Sequence, residues 1–173
     1  MNMWTKLKSR FDKLPSQAKV AQLMLALGLS VRKNLDNEYS VFCGDILLSP
    51  SQIGRTMNID RRVVIETVKR IANDPELLSF YSTLTPTANL GASSSSLGMG
   101  VLQIIPESPD QPGIIAGTLA IIARMNISVR QVIADDPELS EEPRATIVTE
   151  KPIPPEIVPE IRNVPGIKAL VIM

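Results

Sequence analysis

Residues 101 to 173 alternate between short β-branched runs and amphipathic helical patterns in the order strand, helix, strand, strand, helix, strand, and no other feature constrains the chain as much. Val101 to Ile105 is an apolar run of strand length that breaks at Pro106 into the polar loop Glu107 to Gly113. In the helix expected next, Ile115, Leu119 and Ile122 fall at i, i+4 and i+7, beside a second row of Ile114, Thr118 and Ile121. That is apolar surface for two neighbours, a sheet and another subunit. Ile127 to Ala134, Ala145 to Thr149 and Lys168 to Ile172 read as further strands. Between the last two, Pro155 suits a first helical turn, Ile157, Ile161 and Val164 supply a stripe, and Pro165-Gly166 stops it. Two helices on one face of an antiparallel βαββαβ sheet make a ferredoxin-like arrangement, which by itself assigns no function.

Upstream, a different pattern holds. Trp4, Leu7, Phe11 and Leu14 mark a short basic amphipathic helix, whose plainer role is to cover its own domain and whose alternatives are DNA, a membrane surface or a partner. Ser16 is placed to cap a second helix running to about Lys33, with Val20, Leu23, Met24, Leu27 and Val31 as its buried stripe, and Asn34 to Ser40 reads as a loop. Ser49-Pro50 then opens one short helix to Met57, Asn58-Ile59 forms a turn, and Asp60 caps a second helix from Arg61 to Ala72. This is the helix-turn-helix pattern, whose second helix enters a DNA major groove. Val64, Val68 and Ile71 are its expected buried face. Arg61 and Arg62 stand where base edges are reached, Lys69 and Arg70 suit phosphates, and Ser49 and Ser51 are further phosphate candidates. The plainer reading is a helical domain with a solvated basic face. A wing is not evident: Ser79 to Thr85 fits a strand or a helix. Ala88 to Gly100, with Gly91-Ala92 and four serines, has linker composition, so the expected division is 1–87, a linker at 88–100, and 101–173.

Charge follows the same division. Residues 1 to 73 carry twelve Lys and Arg against six Asp and Glu, a net of +6, and the whole chain is neutral, so the remainder is −6. An N-terminal part that meets a polyanion is implied. With no histidine, the chain has no His-based triad, metal site or simple pH switch, and the single Cys43 allows no internal disulfide or cysteine zinc site. Aromatic residues are 3%, which disfavours base stacking on exposed rings. No nucleophile motif, phosphate loop or cofactor signature is present, so the expectation is a protein that is not an enzyme and takes no cofactor. No run is long enough to span a membrane and no signal peptide begins the chain, so a soluble cytoplasmic protein is expected. The acidic group Asp135, Asp136, Glu138, Glu141 and Glu142 lacks EF-hand spacing and reads as a solvated loop.

Asp110-Gln111-Pro112-Gly113 between strand and helix, Asn126-Ile127 opening the second strand, and Val164-Pro165-Gly166-Ile167 before the last strand together resemble an ACT domain over about seventy residues. With Asn126 to Gln131, Asp136-Pro137-Glu138-Leu139 and Thr149 to Pro154, the chain is similar to archaeal proteins described as predicted regulators of amino-acid metabolism, which join a helix-turn-helix to a C-terminal ACT domain. The resemblance implies an α+β chain: an N-terminal helical, winged helix-turn-helix domain, then a ferredoxin-like ACT domain. It also implies a free amino acid as effector, bound where the first loop of one copy meets the second strand of another, and hence a homodimer or larger. The implied effector contacts are Ser108, Asp110, Gln111, Gly113, Ile114, Asn126 and Ile127, and the DNA contacts are Ser51, Arg61, Arg62, Lys69 and Arg70. For Asp110 the plainer role is a helix cap, and for Asn126 a left-handed turn residue. The rival function is an ACT regulatory subunit that docks on a biosynthetic enzyme without binding DNA.

Overall fold

A computed structural model describes residues 9–173, the side chain of Ser95 apart. The chain is α+β, with two antiparallel sheets, and forms two compact units, 1–87 and 88–173. The periodicity at Trp4 and Leu7 lies outside the described residues, but of the same pattern Phe11 is buried in the core of the first unit and Leu14 is half-buried.

In the first unit, helix α1 (Pro15–Ala26) is shorter than its stripe suggests. Ser16 does not cap it: Pro15 takes the first helical position and the cap residue, Leu14, makes no side-chain bond. The expected continuation to Lys33 is overturned by Gly28, whose φ of +63° turns the chain out of the helix. A Cβ there would stand 2.3 Å from the Thr85 carbonyl oxygen, so only glycine fits. Leu27 is consequently exposed. Val31 is buried as expected, but from a strand. β1 (Ser30–Lys33), β2 (Tyr39–Cys43) and β3 (Ile46–Leu48) form an antiparallel sheet in that order. The stretch read as a loop, Asn34 to Ser40, thus holds a hairpin turn, in which the Asn34 side-chain oxygen accepts from the N–H groups of Asp36 and Glu38.

The next two helices follow the sequence pattern closely. Ser49 and Gln52 make a reciprocal capping box at the start of α2 (Pro50–Met57), Asn58 closes it in the left-handed conformation, and Asp60 caps α3 (Arg61–Asn73) by accepting from the Arg62 N–H. Val64, Val68 and Ile71 are buried, together with Thr67, whose hydroxyl donates to the Val63 carbonyl. The ambiguous stretch after Asp74-Pro75 is helical, α4 (Pro75–Ser82), with Asp74 capping it. The strands of this unit therefore all precede the helix pair. Tyr81 of α4 is buried against α1 and donates its hydroxyl to the Ala21 carbonyl at 3.0 Å.

The second unit contains β4 (Gly100–Pro106), α6 (Ile114–Arg124), β5 (Val129–Ala134), β6 (Ala145–Thr149), a 3₁₀ turn leading into α7 (Val158–Arg162), and β7 (Ile167–Ile172). Its sheet order is β5-β6-β4-β7, antiparallel throughout. Leu102, Ile104, Ala145 and Ile147 pack with Ile114, Ile121, Ile122, Ile157 and Ile161 in one core. Pro106 lacks an N–H, and the ladder to β7 shifts register there.

The segment with linker composition is instead part of this unit. It carries a one-turn helix, α5 (Gly91–Ser94), and a 3₁₀ turn, packed against β6 and β4. Alternation along β4 and β6 points Val101 and Val148, which are partners in the ladder, to the sheet face away from the main core, yet both are fully buried. The cover is close: a Cβ on Gly91 would stand 2.9 Å from the Thr146 methyl. Small residues, read as flexibility, serve here to let backbone approach the sheet.

Candidate functional site

In the first unit the candidate surface is the exposed side of α3 and the turn before it. Arg61, Arg62, Lys69 and Arg70 are all exposed, and Ser51 is half-buried. Their electrostatic circumstances differ. Lys69 Nζ lies 3.0 Å from Glu66 Oε1, one turn back on the same helix, and Arg70 Nε donates to Gln17 Oε1 of α1 at 3.1 Å. Neither Arg61 nor Arg62 has a side-chain partner among the described residues. The sequence reading passed over Arg55, exposed in the last turn of α2 and equally without a side-chain partner among the described residues. A basic residue in the last turn before an Asn-turn was the available signal.

Gly54 brings these arginines to one place. It is buried where α2 crosses α3, and a Cβ on it would lie 2.8 Å from the Ile59 carbonyl oxygen and 3.3 Å from the Arg61 nitrogen. The end of α2 is therefore pressed against the start of α3. Arg55 lies in the last turn of α2 and Arg61 and Arg62 open α3, so three arginines without a side-chain partner among the described residues flank the turn, which also carries the capping carboxylate of Asp60. Such a cluster attracts an anion, and guanidinium forks suit phosphate oxygens and guanine edges.

In the second unit the loop 107–113 and the start of α6 form the other candidate. Gly113 has a φ of +95° and open space where a Cβ would be, and the helix begins there without a side-chain cap. Asp110 is exposed and is not the cap that plain sequence reading allowed. Ser108 is exposed, its carbonyl accepting from the Gln111 N–H. The Gln111 amide lies over Gly166, where a Cβ would come within 2.5 Å of its Oε1, so this side chain packs against the turn before β7. Asn126 is exposed with a φ of +51°, the left-handed turn, and its N–H goes to the Ala123 carbonyl. Ile114 and Ile127 are buried.

Within one chain these residues form two groups. Ser108 to Ile114 stand at the start of α6 and Asn126-Ile127 just past its end, and the 11 residues of the helix hold them about 16 Å apart. One copy cannot close both on a small ligand. What one copy does form is an open cleft of about 510 Å³ between the start of α6 and the near end of the sheet. It is lined by Gln111, Gly113 and Ile114 from the expected set, and by Ile115 and Leu119, among others.

Among the described residues no group of cysteines and carboxylates could hold a metal ion, and no helix is long and apolar enough to cross a membrane. Neither a protein-family model nor a curated protein sequence matches the chain. A solved structure described as "Crystal structure of PH0061" superposes over 73% of this chain and 79% of its own, with 12% identity and a TM-score of 0.27. At that TM-score the likeness bears on neither fold nor function.

Proposed function

We propose that the protein is an amino-acid-responsive transcriptional regulator: its first unit binds duplex DNA through the helix-turn-helix α2–α3, and its second, an ACT-like ferredoxin fold, binds a small effector as a homodimer or larger assembly. The carrying observation is the arginine trio at the α2–α3 turn. Arg55, Arg61 and Arg62 make no ion pair with any described carboxylate, while Lys69 and Arg70 are engaged within the unit. Charge left uncompensated at a recognition-helix start is what a phosphate backbone and base edges would neutralise. The net +6 of residues 1 to 73 agrees in sign.

For the second unit, the βαββαβ order and the strand arrangement β5-β6-β4-β7 support the ACT-like reading. The separation of Asp110 from Asn126 fits a site completed by a second copy. Retardation of genomic DNA fragments at low salt tests the DNA half of the proposal. The full chain is expected to retard a subset of fragments and Arg61→Ala/Arg62→Ala none selectively. Failure of the unsubstituted protein to retard any fragment would favour docking on an enzyme.

A further inference from the structure

We infer that the cleft between α6 and the sheet is a binding site within a single copy for a small zwitterion with an aliphatic side chain, its charged groups held by Asp135 and Arg144. This rests on the effector-binding reading of the second unit and names the ligand class and the polar contacts.

The lining of the cleft is largely apolar. Ile104, Ile115, Leu119 and Ala145 come from the core elements, Pro106 and Pro109 from the loop, and the polar side chains are confined to Gln111, Asp135 and Arg144. The Gln111 amide packs against Gly166. The charged side chains are Asp135 and Arg144, and they stand together where β5 ends and β6 begins. Asp135 N–H donates to the Arg144 carbonyl at 2.9 Å, and Arg144 N–H returns a bond to Asp135 Oδ2 at 3.1 Å. The two backbones are thereby fixed side by side, which holds one carboxylate and one guanidinium at one rim of an apolar hollow.

Each charged group has capacity left. Asp135 Oδ2 accepts the Arg144 N–H, and Oδ1 has no hydrogen-bond partner among the described residues. Arg144 spends Nη2 on Glu142 Oε2 at 2.8 Å, one of five donors in its fork. A ligand that offers an ammonium to Asp135, a carboxylate to Arg144 and a branched hydrocarbon to Ile115 and Leu119 satisfies all three requirements. A volume of about 510 Å³ falls within the range of small-molecule sites, roughly 300 to 1,000 Å³. An aspartate or lysine ligand would bury an unpaired charge against the isoleucines. Small residues keep the space open: Ala116 and Ala134 line it beside Gly113.

The test is calorimetric titration of the full chain with isoleucine, leucine, valine, aspartate, lysine and tryptophan. Ala134→Phe fills the cleft from an exposed edge-strand position, and Asp135→Asn and Arg144→Gln remove one charge each. The expected result is binding of the aliphatic three only, lost in Ala134→Phe and weakened about ten- to hundredfold in each charge variant. If Ala134→Phe fails to fold, the two charge variants decide alone. Aliphatic binding that is unchanged in all three but lost in Asp110→Ala overturns the cleft and leaves the proposed effector site between copies standing. Absence of binding by any of the six overturns the cleft. If no ligand binds and Ala134→Phe disperses an oligomer in light scattering, the cleft is a contact between copies and the inference is wrong.

Discussion

The Gly54 Cα and the Ile59 carbonyl meet so closely that the first carbon of any side chain would stand 2.8 Å from that oxygen. The contact sets the crossing of α2 and α3 and hence the position of Arg55 against Arg61 and Arg62. Gly54→Ala should cost about 1 to 3 kcal/mol, because backbone on both sides must move. Urea denaturation measures it. Gly44, in the β2–β3 turn, has open space around it but a φ of +58°, so Gly44→Ala should cost only the left-handed penalty of about 1 to 2 kcal/mol.

Among the described residues, burial pushes the Tyr81 phenol well above its usual range. In the unfolded chain the phenol ionises near its ordinary value of about 10, while the folded protein holds it neutral. Folding therefore retains a proton that the unfolded state loses, and the stability due to this group falls as pH rises above about 10. Tyr81→Phe should lose roughly 0.5 to 1.5 kcal/mol at neutral pH with the bond to the Ala21 carbonyl. The gap between the two proteins should narrow above pH 10. Thermal denaturation at pH 7 and pH 11 reads both.

The Gln131 side chain grips the stretch that enters the second unit: its oxygen accepts the Leu90 N–H at 2.9 Å and its nitrogen donates to the Ala88 carbonyl at 2.8 Å. Gln131→Ala should raise amide exchange over residues 90–94 by tenfold or more and leave β4 and β6 protected. Hydrogen exchange read by mass spectrometry distinguishes this from general loosening.

These contacts mark where the sequence was legible and where it was not. Capping residues act locally, so Ser49, Asn58 and Asp60 announced α2 and α3 with ends accurate to a residue. The strands and the long helix of the second unit carried clear periodicity and were placed to within two residues, whereas the short helix read from Pro155 is a 3₁₀ turn there and α-helical from Val158. Val31 misled because an apolar residue eleven after Val20 continues a helical stripe equally well from a strand. Only Gly28, pressed on Thr85 far along the chain, decides the matter. The serines of 93–96 look flexible by composition, and their order comes from a sheet face and from Gln131, nearly forty residues away. Of the candidate site, residue types and exposure were readable. The Glu66 and Gln17 partners that engage Lys69 and Arg70 were not, because pairing depends on rotamers and on α1.

That difference in pairing predicts a graded salt response. In plots of log affinity for duplex DNA against log salt, each phosphate contact contributes about 0.9 to the slope. Arg55→Ala should reduce the slope by about one, whereas Arg61→Ala and Arg62→Ala, at the base edges, should chiefly relax sequence preference, by about 1 to 3 kcal/mol each. Lys69→Ala should reduce it less, since Glu66 competes for the ammonium.

The account joins a DNA-binding unit to an effector-binding unit, and reciprocal coupling is the property that joins them. The direct measurement is the affinity of the full chain for its best genomic fragment, by fluorescence anisotropy, with and without the amino acid that binds most tightly in a screen of all twenty. The account predicts a change of about five- to 150-fold, and the same factor when amino-acid affinity is measured with and without that DNA. DNA affinity that is unmoved by a saturating, demonstrably bound amino acid would contradict it.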